Sequence, residues 1–304
     1  MSTVIEVQNL HKRYGDHVAV DDISFSVQQG EIFGIIGPNG AGKTTTVESI
    51  MGLRKPDGGT VRVLGADPQQ NREAVVQRIG IQLQEANLPE RLKVWEAIDL
   101  MATFYEQTVP WEPLLAEWGI ADKKNTMFGQ LSGGQKQRLF IAAALVNDPE
   151  IVFLDELTTG LDPQARRATW EMVRAIRDAG KTVVLVTHFM DEAEALCDRI
   201  AIIDSGRVVA LDTPAQLIAQ TAQGTRIHFT NVNGYDAQQL RNLSAVSRVD
   251  MAGRQVTVHG DGPLLAQVAV ALAEAEITPR DLRLEQADLE DVFIALTGHG
   301  LRAC

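Results

Sequence analysis

The sequence predicts an α/β domain with a mixed sheet built around a phosphate-binding loop, followed by a small α+β domain of ferredoxin-like order. Three observations carry this. Gly37-Pro38-Asn39-Gly40-Ala41-Gly42-Lys43-Thr44 fits G-x-x-x-x-G-K-[ST] at every fixed position. Two further apolar runs, Ile151 to Leu154 and Val183 to Val186, alternate with helical segments, as buried parallel strands do. Beyond residue 224 the elements read β-α-β-β-α-β.

Residues 3 to about 30 alternate apolar and polar positions (Val4, Ile5, Val7, then Ile23, Phe25, Val27) and read as antiparallel strands flanking the core. Glu31 to Ile36 is a short Ile-rich run, a buried strand. The Gly-rich loop follows, then a helix from Thr44 to Met51 that stops at Gly52. Strand, loop and helix in that order aim backbone N–H groups and a helix N-terminus at one spot. Lys43 adds a point charge for the β- and γ-phosphates. The Thr44 hydroxyl is a magnesium ligand, because Mg²⁺ prefers oxygen, and Thr45 reaches the α-phosphate. Gly-rich turns also join strands to helices without binding anything, but such a turn does not explain Lys43-Thr44.

Residues 90–130 read differently. Val94 to Tyr105 is an apolar-periodic helix that Pro110 and Pro113 break, and Trp95, Trp111 and Trp118 fall in this stretch. Leu131-Ser132-Gly133-Gly134-Gln135 then opens an Ala-rich apolar helix that ends before Asp148-Pro149. Ser132 is placed to be its N-cap, and Gly133 and Gly134 leave N–H groups uncovered. That makes a second anion site. Because the phosphate loop already wraps one face of a triphosphate, the second site fits a nucleotide held by another copy of the chain.

Ile151 to Leu154 is a buried strand that ends in Asp155 and Glu156. Residues at the C-terminal ends of parallel strands face the crevice where ligands bind. Asp155 would hold Mg²⁺ through water, and Glu156, one residue on, would polarise the attacking water. His188 follows Val183-Val184-Leu185-Val186-Thr187 in the same way and would contact the γ-phosphate and orient water with Glu156. Arg199 to Val209 is a hairpin around Ser205-Gly206, and Leu211 to Ala222 a short helix.

After a boundary near Gly224, Arg226 to Phe229 is a strand and Tyr235 to Leu243 a helix. Val246 to Val249 and Gln255 to His259 are strands, Pro263 to Ala275 a helix, and Leu282 to Gln286 a strand. A last helix carries Leu289, Val292, Phe293 and Leu296 on one stripe. No catalytic set is visible in this part.

With the phosphate loop, the LSGGQ stretch at 131–135, the acidic strand end and His188 in place, residues 1–222 resemble the ATP-binding-cassette (ABC) ATPases. The resemblance implies a P-loop NTPase cassette with a helical subdomain at about 86–148, an accessory α+β domain at 225–304, and ATP with Mg²⁺ as cofactors. Its nucleotide contacts would come from Gly37, Pro38, Asn39, Gly40, Ala41, Gly42, Lys43, Thr44 and Thr45, and from Ser132, Gly133, Gly134 and Gln135 of the second copy. It also identifies residues that spacing alone does not. Tyr14 matches the aromatic that stacks on adenine, and Val20 would line the same side. Gln84 matches the glutamine that touches Mg²⁺ and the water, with Gln82 as the alternative register. Asp162, in Gly160-Leu161-Asp162, matches the loop that crosses the dimer seam. The sequence departs from the family at Leu157, where proline usually follows the catalytic glutamate. That loosens the turn but removes no chemical group.

Composition bounds the rest. The chain has 304 residues and a net charge of −12, which argues against a broad nucleic-acid surface. Its two cysteines, Cys197 and Cys304, have no metal-type spacing and fit a reducing cytoplasm. Met1 to Glu6 shows no signal segment, and no apolar run approaches the ~20 residues of a membrane helix. The expectation is a protein soluble by itself, held at the inner face of the cell membrane by a permease on a separate chain. The leading reading is the ATPase subunit of a transporter, an exporter by resemblance, working as a pair. A soluble cassette acting on ribosomes or DNA is disfavoured by the single phosphate loop, the absence of a long heptad run and the acidic charge. A clamp that binds ATP without hydrolysing it rests on Leu157 alone.

Overall fold

Strand alternation builds the first sheet. β1 (Thr3–Tyr14) and β2 (His17–Gln28) pair antiparallel, and β4 (Gly58–Val63) joins the other edge of β1. Ile5 sits between Val27 and Val63, and Val7 between Phe25 and Val61, so each rung sends an apolar side chain inward. The computed structural model describes residues 2–83, 87–221, 225–231 and 236–298. It divides into two units, one running to Pro214 and the other starting at Ala215.

The second sheet of the first unit has six strands in the order β5 (Ile79–Gln82), β6 (Ile151–Asp155), β7 (Thr182–Thr187), β3 (Ile32–Ile36), β8 (Arg199–Asp204), β9 (Arg207–Asp212). All neighbours are parallel except the edge pair β8–β9, so the sheet is mixed. β3, β6 and β7 are buried along their whole length, the pattern of a sheet covered on both faces. One apolar core joins the two sheets and α1 (Lys43–Ile50). Phe33 and Ile35 meet Phe25, Ile23, Val47 and Ile50, and the rings of Phe25 and Phe33 stack 5.2 Å apart. Each fully buried side chain of this size contributes about 1.5–3 kcal/mol.

The register of the parallel strands brings the sequence's three strand ends together. Ile36 lies beside Thr187, and Asp155 beside Val186, so β6, β7 and β3 stop side by side at one edge. The residues that follow them are Glu156, His188 and Gly37.

Between β5 and β6 lie α3 (Val94–Ala102), α4 (Trp111–Glu117) and α5 (Gly133–Ala144). α3 ends three residues before the expected Tyr105, with the Thr103 hydroxyl donating back to the Leu100 carbonyl. The prolines do not break a helix. Pro110 precedes α4 and Pro113 lies in its first turn, where no backbone N–H is needed. Trp118 is buried, whereas Trp95 and Trp111 are half-buried with rings 6.4 Å apart. α6 (Pro163–Asp178) links β6 to β7, and α7 (Met190–Leu196) links β7 to β8. Leu211 and Asp212, expected to be helical, extend β9, because Leu211 pairs with Ala201. The helix α8 starts at Pro214 and runs to Thr221.

In the second unit β10 (Thr225–Thr230), β11 (Val246–Ala252), β12 (Gln255–Gly260) and β13 (Arg283–Glu285) form an antiparallel sheet in the order β11-β12-β10-β13. The first strand therefore lies between the third and fourth, as two crossovers of a β-α-β-β-α-β chain require. The first crossover is shorter than expected, a 3₁₀ helix at Ala237–Asn242 capped by Asp236, and Tyr235 lies outside the described residues. α9 (Leu264–Glu274) lays Leu264, Val268 and Leu272 on Ile227, Phe229, Val256 and Val258. α10 (Leu289–Thr297) buries Leu289, Val292 and Phe293, while Leu296 is exposed. Gly224 and Ala222 lie outside the described residues.

A candidate nucleotide site at three strand ends

The loop after β3 takes a shape that only glycine allows at two points. Gly37 has φ 153°, and a Cβ there would lie 2.0 Å from the Ile203 carbonyl oxygen. Gly42 has φ 101°, and its Cβ would lie 2.3 Å from the Ala19 carbonyl oxygen. The β8–β9 turn grips the loop from the side. Gly206 N–H donates to the Ala41 carbonyl at 2.9 Å, and the Gly206 carbonyl accepts from Asp21 N–H at 2.7 Å. Sequence reading missed this clamp, although Ser205-Gly206 announced the tight turn.

α1 starts at Lys43 with no side chain capping its N-terminus, which leaves its first N–H groups for an anion. The Lys43 ammonium is buried and donates to the carbonyls of Gly37 at 2.8 Å and Pro38 at 2.9 Å. Burial pulls its pKa down, against the carboxylates of Glu156 and Asp155. A buried cation held by neutral carbonyls beside the uncapped N-terminus of α1 fits a phosphate ligand. Thr44 is exposed and Thr45 half-buried beside it; Pro38 is half-exposed, and Asn39 and Gly40 are exposed.

Asp155 closes β6 with its side chain almost fully buried. Burial, then the neighbouring Glu156, push its pKa up to about 6, while Lys43 pulls the other way. Among the described residues no side-chain or backbone donor hydrogen-bonds this carboxylate. An enclosed acid of this kind suits an added cation, and Thr44 and Asp155 are the oxygen donors present for it.

Glu156 sits one residue on, with φ 48°, a left-handed conformation that costs a non-glycine residue about 1–3 kcal/mol. Its N–H donates to the Val186 carbonyl at 2.9 Å, which pins the turn against β7. Its Oε1 lies 3.1 Å from His188 Nδ1. With Nδ1–H donating to that carboxylate, Nε2 is left for a further partner. Leu157, in the place of the family's proline, is 1% exposed and fills the core behind the turn.

Ser132 caps α5 as expected. Its Oγ accepts from Gln135 N–H at 3.4 Å, and the Gln135 side chain accepts from Ser132 N–H at 2.9 Å. This is a capping box, legible as S-x-x-Q. Gly133 and Gly134 face Leu161 and Ala165, so the signature abuts the seam loop of its own chain. Among the described residues no hydrogen bond or ion pair joins 131–135 to 37–45. Asp162 caps α6, accepting from the N–H groups of Gln164 and Ala165 at 2.9 Å each.

One expected contact is at odds with the packing. Val20 is fully buried in the first unit's core and presents no accessible side-chain surface. Tyr14 is 40% exposed, with Lys12 Nζ 5.6 Å and the Arg54 guanidinium 5.3 Å from its ring centre. Gln84 lies outside the described residues. The alternative, Gln82, is buried at the end of β5 and donates to the Leu83 carbonyl.

A family model described as ABC transporter matches residues 20–159. The chain is 40% identical over 303 residues to the Nod factor export ATP-binding protein I of Burkholderia pseudomallei, covering 97% of each protein. It is 37% identical to the protein of that name in Cupriavidus metallidurans, over 99% of this chain and 100% of that one. Among solved structures, an ATP-binding subunit of an ABC transporter superposes with a TM-score of 0.65 at 30% identity, over 71% of this chain and 92% of that chain. The dimeric post-hydrolysis state of the cassette MJ0796, bound to ADP and Pi, gives 0.60 at 28%, over 69% of this chain and 98% of that one.

Proposed function

The chain belongs to the ABC transporter family as an ATP-binding subunit, an ATPase coupled to transport, and we propose that two copies of it close head to tail on two ATP molecules to drive an exporter whose permease is a separate chain. One observation carries the paired reading. Lys43, Asp155, Glu156 and His188 meet at one edge of the sheet, while Ser132 to Gln135 of the same chain make no bond to that loop.

In this reading Lys43 turns from the Gly37 and Pro38 carbonyls to the β- and γ-phosphates, and the first N–H groups of α1 take the remaining oxygens. Thr45 reaches the α-phosphate, and Tyr14 stacks on the adenine. The second copy's Ser132, Gly133, Gly134 and Gln135 close on the γ-phosphate, with Asp162 at the seam. Thr44, Asp155 and Gln84 would hold Mg²⁺, which would neutralise charge on the phosphates when bound. Glu156 orients and polarises the attacking water, a placement worth about 10²–10⁴ in rate. His188 holds the Glu156 carboxylate through Nδ1–H and, with Nε2 also carrying a proton, would donate Nε2–H to a γ-phosphate oxygen.

Surface features support the reading of partner and location. No helix among the described residues is long and apolar enough to cross a membrane. Leu83, Leu100, Phe104 and Met127 are exposed large apolar residues in and around the helical segment. Leu100 lies in the last turn of α3 and Phe104 just past its end, and these exposed apolar side chains suit a partner's surface. A permease docked there would hold the subunit at the inner face of the cell membrane. The export direction rests on the relatives named for export.

The test is co-expression with the membrane protein of a neighbouring reading frame. Co-purification and stimulated ATP hydrolysis are expected. A membrane partner that neither binds nor stimulates would overturn the transport reading.

A further inference from the structure

α7 carries three acids in little more than one turn, Asp191, Glu192 and Glu194. Only Glu192 is fully buried. An enclosed carboxylate is unfavourable unless it is well bonded, and the chemistry above assigns it no task. Its surroundings do. Trp170 Nε1–H, from α6, donates to Glu192 Oε1 at 3.1 Å. The hydroxyls of Thr187 and Thr158 face the same carboxylate. Thr187 Oγ1 already accepts from Phe189 N–H at 3.0 Å, which leaves its proton to point at Glu192. Thr158 Oγ1 and Glu192 Oε2 are both enclosed and have no hydrogen-bond partner of ordinary geometry, so a small closing movement pairs them and satisfies both.

The position of these threonines matters. Thr187 and Phe189 bracket His188. Thr158 follows Glu156 by two residues, in a turn where Thr159 N–H returns to the Glu156 carbonyl and Leu161 N–H to the Thr158 carbonyl. A second link runs in parallel, because the Arg166 guanidinium of α6 sits 4.6 Å over the Phe189 ring and pairs with Asp191 at 3.2 Å. One buried acid thus touches the turn that carries Glu156, the turn that carries His188 and the helix that leaves the seam loop.

We propose that Glu192 is a positioning residue for the Glu156–His188 pair, holding the two turns in register through Thr158 and Thr187. It acts through these threonines and not on the nucleotide. The proposal deepens the ATPase reading and rests on it for its kinetic arm alone.

The test uses the full chain with Glu192→Ala, Glu192→Gln and Thr158→Val, singly and as the Thr158→Val/Glu192→Ala double variant. For Glu192→Ala, kcat for ATP should fall about ten- to hundredfold with KM within about twofold, because small misplacements act on the reacting geometry. Glu192→Gln, which keeps shape and an acceptor oxygen, should restore most of it. The double variant should be no slower than the slower single. A second arm is independent of turnover. In ¹⁵N-histidine-labelled protein, the His188 imidazole signals should shift in Glu192→Ala and Thr158→Val but not in Glu192→Gln, with those of His11 and His17 unmoved. An unmoved His188 signal, additive kinetic losses, or a KM that rises in step with the fall in kcat overturns the proposal. Wild-type protein without turnover would instead count against the ATPase reading, and the spectroscopic arm would still decide this one.

Discussion

His188 Nδ1 stands 3.1 Å from Glu156 Oε1, and the glutamate that supplies this oxygen holds a left-handed backbone pinned to Val186. Strain of this kind at a strand end persists because the surroundings fix it: Leu157 is locked in the core one residue on. The carboxylate is therefore aimed before nucleotide arrives. His188→Ala should lower kcat by about a hundredfold and leave ATP affinity nearly unchanged, as read by steady-state hydrolysis beside equilibrium nucleotide binding. Equal losses in both would show that the histidine serves binding instead.

The phosphate loop offers a comparison between two glycines. Gly42→Ala meets both a forbidden φ and the Ala19 carbonyl 2.3 Å away, whereas Gly40→Ala meets a φ of 81° with open space around it. The Gly40 variant should fold with a loss of about 1–2 kcal/mol. The Gly42 variant should displace the loop from β2 and lose nucleotide binding. Thermal melts and titration with a fluorescent ATP analogue distinguish the two.

Asp155 sets a pH dependence. Burial first, and then Glu156, raise its pKa from the ordinary 3.8 to about 6. Between roughly pH 4 and 6 the folded chain holds a proton that the unfolded chain has released, so stability falls as pH rises through that window. The shift corresponds to at most about 3 kcal/mol. Urea unfolding of metal- and nucleotide-free protein should show Asp155→Asn more stable than wild type at pH 7.5, and the difference closing towards pH 4. A constant difference across that range would contradict the buried-acid account.

The sequence made some of this plain and hid the rest, for physical reasons. Asp155, Glu156 and His188 were legible because they follow short apolar runs, and parallel strands deliver such residues to one edge; Lys43 was legible because the Gly-rich motif fixes its spacing from β3. The cap of Ser132 was legible because capping depends on a few neighbours. Pro113 misled, since a proline looks the same whether it ends one helix or opens the next. The stretch Ala237–Asn242 had helical composition but closed only as a 3₁₀ helix, and Leu211 joined a strand because Ala201 was there to pair with it. Val20 was read as lining the adenine side, yet the packing of two sheets encloses it. Glu192 could not be picked out from Asp191 and Glu194, because only tertiary packing decides which acid of an acidic turn is buried.

The exposed apolar residues of the helical segment carry their own expectation. Phe104 is 65% exposed, next to the half-exposed Leu100. Phe104→Glu should break co-purification with the permease while leaving the thermal midpoint within about 2 °C, the scale expected of a surface change. Unaltered co-purification would place the docking surface elsewhere.

Light scattering on Glu156→Gln protein, with and without saturating ATP and Mg²⁺, tests the central claim most directly. Without nucleotide a single chain is expected, and with it a stable pair. Adding Ser132→Arg should abolish the pair while each chain still binds ATP. A mass that stays that of one chain at saturation, with the permease supplied, would contradict a triphosphate gripped from both sides by two copies.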